Sequence, residues 1–64
     1  MDKIIYHYIS LNKNVCIYEL FNLFKCEEWQ DFDRVCEAKD QLIEQGLIEK
    51  YYYYNTEFYK LKGE

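Results

Sequence analysis

The sequence predicts an α+β domain in which three helices are followed by a C-terminal two- or three-stranded antiparallel sheet. Three observations carry that expectation. A helix-period segment (Val35, Ala38, Leu42 and Ile43) stops at Gly46. The apolar pair Leu47 and Ile48 follows at once, and then come two strand-like aromatic runs split by Asn55 and Thr56. Ahead of these, two more stretches space apolar residues three and four apart, which lines side chains along one helical face.

Taken in order, Ile4, Ile5, Tyr8, Ile9 and Leu11 form the inward stripe of a first amphipathic helix over residues 2–11. His7 lies among them and is expected to be half-buried and structural. Asn12, Lys13 and Asn14 end that helix, because short polar side chains bond their own backbone. Val15, Cys16 and Ile17 are apolar and partly β-branched, and could add a third strand beside the hairpin. Over residues 18–25, Leu20, Phe21, Leu23 and Phe24 again repeat at helical spacing, and residues 26–30 read as a turn. Glu27, Glu28 and Asp31 then stand where a third helix begins, since carboxylates suit the positive end of a helix dipole. Asp31 is the expected N-cap. That helix should run to Gln45 with Phe32, Val35, Ala38, Leu42 and Ile43 inward, and Gly46 should supply its left-handed end. Residues 47–54 and 57–61 are strands on propensity and alternation, joined by a turn at Asn55 and Thr56.

A chain of 64 residues is one domain, spanning 1–64. Such a chain buries only about 60% of its unfolded surface. Here apolar density compensates, with 50% of residues hydrophobic and 20% aromatic. The absence of Pro and the presence of only two Gly leave little linker character. A second copy, or a partner covering part of the aromatic surface, would add stability. Apolar runs are short and interrupted, which argues against a secretory signal, a membrane span or membrane contact and for a cytoplasmic protein. Three cysteines (Cys16, Cys26 and Cys36) argue against a closed disulfide framework. Buried thiols in a reducing compartment are the expectation; a zinc site with His7 and an intermolecular disulfide are the alternatives. Lys, Asn, Ile, Tyr and Phe make up close to half the chain, the bias of A+T-rich coding that is common in phages and mobile elements.

The run LIEQGLIEKYYYYNTEFYKLKG resembles the end of a winged helix-turn-helix domain. There a recognition helix is followed by a Gly-Leu-Ile turn, two strands and a closing Tyr-x-Leu-x-x-Gly-like tail. The tail here is Tyr59-Lys60-Leu61-Lys62-Gly63, with its Gly one place early. VCIYELFNLF is similar to the second helix of that family, whose Glu-Leu-Ala triplet packs under the third helix. The triplet here is Glu19-Leu20-Phe21, and the larger Phe21 implies a changed helix crossing or a partly exposed ring. The resemblance places Tyr59 and Leu61 in the core, leaves Phe58 on the outer face of the wing, and makes nucleic-acid binding the default function.

Catalysis is not expected. One His, one Ser and no Gly-rich phosphate loop give no nucleophile, base and orienter set, and imply no cofactor, metal or small-molecule substrate. Charge argues against the default function as well. Residues 27–45 carry seven carboxylates against Arg34 and Lys39, a net −5 within a chain of −4. The outward positions of the third helix would be Gln30, Asp33, Arg34, Glu37, Asp40, Gln41 and Glu44. Carboxylates there are repelled by phosphates instead of releasing counterions.

A dimeric regulator of duplex DNA would have to read bases with Gln30 and Arg34 and hold backbone with Lys50, Lys60 and Lys62. The aromatic wing offers another surface. Tyr51, Tyr52, Tyr53 and Tyr54 alternate sides, so two of them share the outer face with Phe58, and a one-residue register change swaps which two. Trp29 is a second exposed aromatic candidate. Tyr and Trp are enriched in interface hot spots.

The leading expectation is therefore a non-enzymatic interaction module, accessory, regulatory or inhibitory. It would dock on a larger basic protein of a replication, transcription or defence system through Trp29, Asp33, Glu37, the four tyrosines and Phe58. A homodimer is compatible with this.

Overall fold

The computed structural model describes residues 1–63; Glu64, the last residue of the expected domain, lies outside the described residues. The elements are α1 (Asp2–Leu11), β1 (Val15–Cys16), α2 (Ile17–Leu23), α3 (Trp29–Glu44), β2 (Ile48–Tyr53) and β3 (Thr56–Leu61). The strands form one antiparallel sheet in the order β1-β3-β2. Three helices and a three-stranded antiparallel sheet are compatible with a winged-helix-like arrangement. Every element contributes to one core of Ile5, Ile9, Val15, Leu20, Val35, Ala38, Leu42, Ile48 and Tyr59. Phe21 is partly exposed, as its size implies, and meets Phe32 edge-on at 4.7 Å between ring centroids.

Several local expectations are corrected. In α1 only Ile5 and Ile9 are buried, while Ile4 is 54% and Leu11 70% exposed and His7 is exposed too. One packed side suffices because α3 and the sheet both lie against the Ile5–Ile9 face, leaving the rest of the stripe to solvent. Ile17 belongs to α2, which ends at Leu23, and Lys25 turns the chain with a left-handed φ of 51°. The N-cap of α3 is Glu28, not Asp31. Asp31 sits three places in, and its Oδ2 accepts from the backbone N–H groups of Glu27 (3.2 Å) and Glu28 (3.3 Å). Satisfying these donors from inside lets the helix start three residues earlier, which makes Trp29 its first residue. At the other end Gly46 adopts a φ of +75°. The Gly46 N–H donates to the Ile43 carbonyl and the Leu47 N–H to that of Leu42, a Schellman closure. The helix then hands the chain directly to the sheet.

The hairpin turns one residue earlier than expected. Tyr53 pairs with Thr56, so the loop is Tyr54 and Asn55, with φ of 50° and 62°. Two consecutive left-handed residues make the mirror-image turn whose twist matches a two-residue hairpin. Asn tolerates that region well; Tyr does so only at some cost.

Candidate functional site

Strand register decides which aromatics share a surface. Ile48, Lys50 and Tyr52 of β2 lie opposite Leu61, Tyr59 and Glu57 of β3 on the helix side of the sheet. Glu49, Tyr51 and Tyr53 lie opposite Lys60, Phe58 and Thr56 on the outer side. The outer pair is thus Tyr51 and Tyr53. Tyr51 stacks on Phe58 (5.7 Å), Tyr53 meets Phe58 edge-on (6.2 Å), and Tyr53 meets Tyr54 edge-on (4.5 Å). The result is a strip of four rings running to the hairpin tip, where Tyr54 is 85% exposed. The Tyr51 hydroxyl donates to Asn14 Oδ1 at 2.6 Å, so Asn14, which the residue pattern did not single out, anchors one end. A shallow concavity of about 340 Å³ lies between Asn14, Tyr51, Tyr53 and Phe58. Tyr52 is exposed but stands on the other face, apart from the strip.

The second surface is α3. Gln30, Asp33, Arg34, Glu37, Asp40, Gln41 and Glu44 are all exposed, as their spacing predicts. Trp29 opens the helix at 85% exposure, beside a concavity of about 600 Å³ bounded by Glu27, Glu28, Gln30 and Phe32. Lys39 does not belong to this surface. It is 7% exposed, and its Nζ reaches Glu57 Oε1 at 2.8 Å and Asp40 Oδ1 at 2.9 Å. The Tyr59 hydroxyl donates to the same Glu57 oxygen at 2.7 Å. The spacing of Val35, Lys39 and Leu42 (i, i+4, i+7) is the signal that places Lys39 inward. Because Lys39 points at β3, the residues half a turn round α3 point away from the sheet. The acidic face and the aromatic strip therefore lie on opposite sides of the molecule.

Removing Lys39 from the surface leaves Arg34 as the one exposed cation of α3. On the wing, Lys62 and Lys60 both approach Glu49, at 3.4 and 3.9 Å. Such exposed pairs are weak, about 0–1 kcal/mol, and the single Glu49 carboxylate offsets only part of the charge of the two lysines. Lys50 is exposed and unbridged among the described residues. The expected DNA-contacting set is thus dispersed, with Gln30 and Arg34 on α3 and the lysines on the hairpin. The three thiols are half-buried where full burial was expected. Among the described residues no group of three or more His, Cys, Asp or Glu side chains is placed to hold a metal, and no helix is long and apolar enough to cross a membrane.

The Lys39–Glu57–Tyr59 cluster has a definite pH signature. Burial opposes ionisation of Glu57, but the Lys39 and Tyr59 hydrogen bonds outweigh it and hold its pKa below the ordinary 4.5. Burial likewise disfavours the Lys39 ammonium, yet the bonds from Glu57 and Asp40 raise its pKa above 10.5. Burial and then Glu57 push the Tyr59 hydroxyl well above its ordinary 10.0. The depressed Glu57 stabilises the fold above 4.5, and that stability is lost as pH falls through its lowered pKa. The raised Lys39 and Tyr59 stabilise below their ordinary values of 10.5 and 10.0, and their contribution is lost as pH rises beyond. Urea midpoints measured from neutral to acid pH should fall more steeply in the wild type than in Glu57→Gln. Parallel curves would show that Glu57 is not the coupled group.

No family model matches the chain, and no curated protein or solved structure matches it.

Proposed function

We propose that this chain is a winged-helix module, without catalytic activity, that works by protein contact and docks on a larger, basic, nucleic-acid-handling protein. The observation that carries this reading is the exposed face of α3, where Asp33, Glu37 and Glu44, together with Asp40 at the edge paired to Lys39, outnumber a single exposed cation, Arg34. A helix of that charge is repelled by the phosphates flanking a major groove, whereas a basic protein surface attracts it and speeds the encounter. Trp29, at the start of the same helix, supplies a large apolar group for a desolvated centre. The strip of Tyr51, Phe58, Tyr53 and Tyr54 supplies a second contact surface on the other side. Tyr54 occupies a left-handed turn position that Asn or Gly fills at lower cost, which fits a ring kept at the tip for contact.

The experiment that tests this reading is titration onto mixed-sequence duplex DNA at low salt, where electrostatic binding is strongest. We expect no complex at about 10 µM protein, well within the range in which DNA-binding proteins bind non-specifically. Micromolar binding that weakens steeply with added salt would establish the other reading, a dimeric DNA regulator using Gln30, Arg34 and Lys50, Lys60 and Lys62.

A further inference from the structure

One edge of the sheet, β2, carries backbone groups that no other strand uses. β2 lies at one side of the β1-β3-β2 order, and the Lys62 N–H donates to the Leu47 carbonyl where the hairpin ladder continues past Ile48 and Leu61. Hydrogen-bonded pairs alternate along an antiparallel ladder. Leu47, Glu49, Tyr51 and Tyr53 therefore turn their backbone groups toward β3, and Ile48, Lys50 and Tyr52 turn theirs outward. Those outward groups have no backbone or side-chain hydrogen bond among the described residues. An unbulged edge that is open at Lys50 and Tyr52, with Ile48 buried at its start, is a template for another strand.

We propose that β2 pairs edge to edge with β2 of a second copy, about a two-fold axis at Tyr51. Residues opposed across such an axis must share a face of the sheet, which limits the choice of register. Centring on Lys50 sets Lys50 against its own copy, and centring on Glu49 does the same with carboxylates; like charges directly opposed destabilise a sheet. Centring on Tyr52 runs the ladder into the Tyr54–Asn55 turn. Centring on Tyr51 avoids both like-charge pairs and meets the turn only at Ile48, the buried end of the strand. It pairs the free backbone groups of Lys50 with those of Tyr52 of the second copy, twice over, and sets each Lys50 ammonium beside a tyrosine ring. Tyr51 leans away from the edge, across Phe58 to Asn14, so the axis is not crowded. The outcome is a six-stranded sheet whose two aromatic strips join on one side, with two acidic α3 faces left free. This pairing stands on strand geometry and holds whether or not α3 docks on a protein.

Sedimentation equilibrium at about 1 mM protein, where even a millimolar contact is half-populated, reads the mass directly. We expect wild type to approach twice the 8.0 kDa of one chain. Lys50→Pro deletes an outward donor without touching the β2–β3 ladder and should give a single-chain mass. Tyr52→Lys, at an exposed site that does not challenge folding, opposes Lys50 with a like charge; its dimer should be weaker at low salt and partly restored by salt. Tyr51→Cys should cross-link through residue 51 under mild oxidant, because residues opposed at a non-hydrogen-bonded position stand about 4.5 Å apart between Cα atoms. A linked peptide joining position 51 to itself supports the register. A wild type of single-chain mass overturns the proposal, as does a dimer indifferent to Tyr52→Lys or one that yields no link at position 51.

Discussion

Tyr59→Ala is expected to abolish the cooperative fold. Tyr59 is fully buried in the central strand, between β1 and β2, and packs with the helices on the inner face of the sheet. Removing a buried aromatic side chain costs about 3–5 kcal/mol. A domain of this size has only about 3–10 kcal/mol in total, at about 0.05–0.15 kcal/mol per residue. The loss therefore takes most or all of the stability, and thermal melts followed by circular dichroism should show no sharp transition. Tyr59→Phe separates the ring from its hydroxyl. Glu57 keeps Lys39 as a partner, so the cost should be about 1 kcal/mol, a fall of roughly 4–8 °C in Tm. A Tyr59→Ala protein that melts within a few degrees of wild type would show that the core does not depend on this strand.

The second large effect concerns α3. Reversing two exposed carboxylates, in Asp33→Lys combined with Glu37→Lys, should leave the fold intact, because exposed substitutions away from caps and pairs usually change stability by less than about 0.5 kcal/mol each. The consequences for binding should be large and opposite in sign for the two kinds of partner. Against a basic protein, each reversal sets like charges together at a cost of several kcal/mol, so affinity for a partner captured by the wild type should fall more than about 100-fold. Against DNA, two new phosphate contacts should bring out binding with a log–log salt slope of about −2. Partner affinity that survives the double reversal undiminished would remove α3 from the interface.

Much of the fold is legible along the chain because its signals are local. The stripe of Val35, Ala38 and Leu42, the stop at Gly46 and the β-rich runs after it depend on periodicities of a few residues. Errors fall where a local signal competes with packing. Ile4 and Leu11 fit the period of α1 but find no element to cover them, and His7 is exposed with them. Asp31 has the chemistry of an N-cap but serves from inside the helix, so α3 starts at Trp29. Asn55 and Thr56 look like a turn, yet pairing of Tyr53 with Thr56 moves it to Tyr54 and Asn55. The candidate interface divides the same way. Exposure of Trp29 and of the outward residues of α3 follows from helical spacing, whereas the grouping of Tyr51 and Tyr53 with Phe58, and the role of Asn14, require the strand register.

The sequence by itself therefore determined the element types, their order and the sign of the charge on α3, since periodicity and charge are read residue by residue. Only the tertiary structure decided three further things. Lys39 leaves the surface for a buried bridge to Glu57 while still pairing with Asp40, so the acidity of the outer face of α3 rests on Asp33, Glu37 and Glu44 against Arg34. Tyr51 and Tyr53, not Tyr52, join Phe58. The acidic face and the aromatic strip look in opposite directions. Each of these depends on which residues are brought opposite one another across the chain. In a sheet, a shift of a single residue reverses the answer.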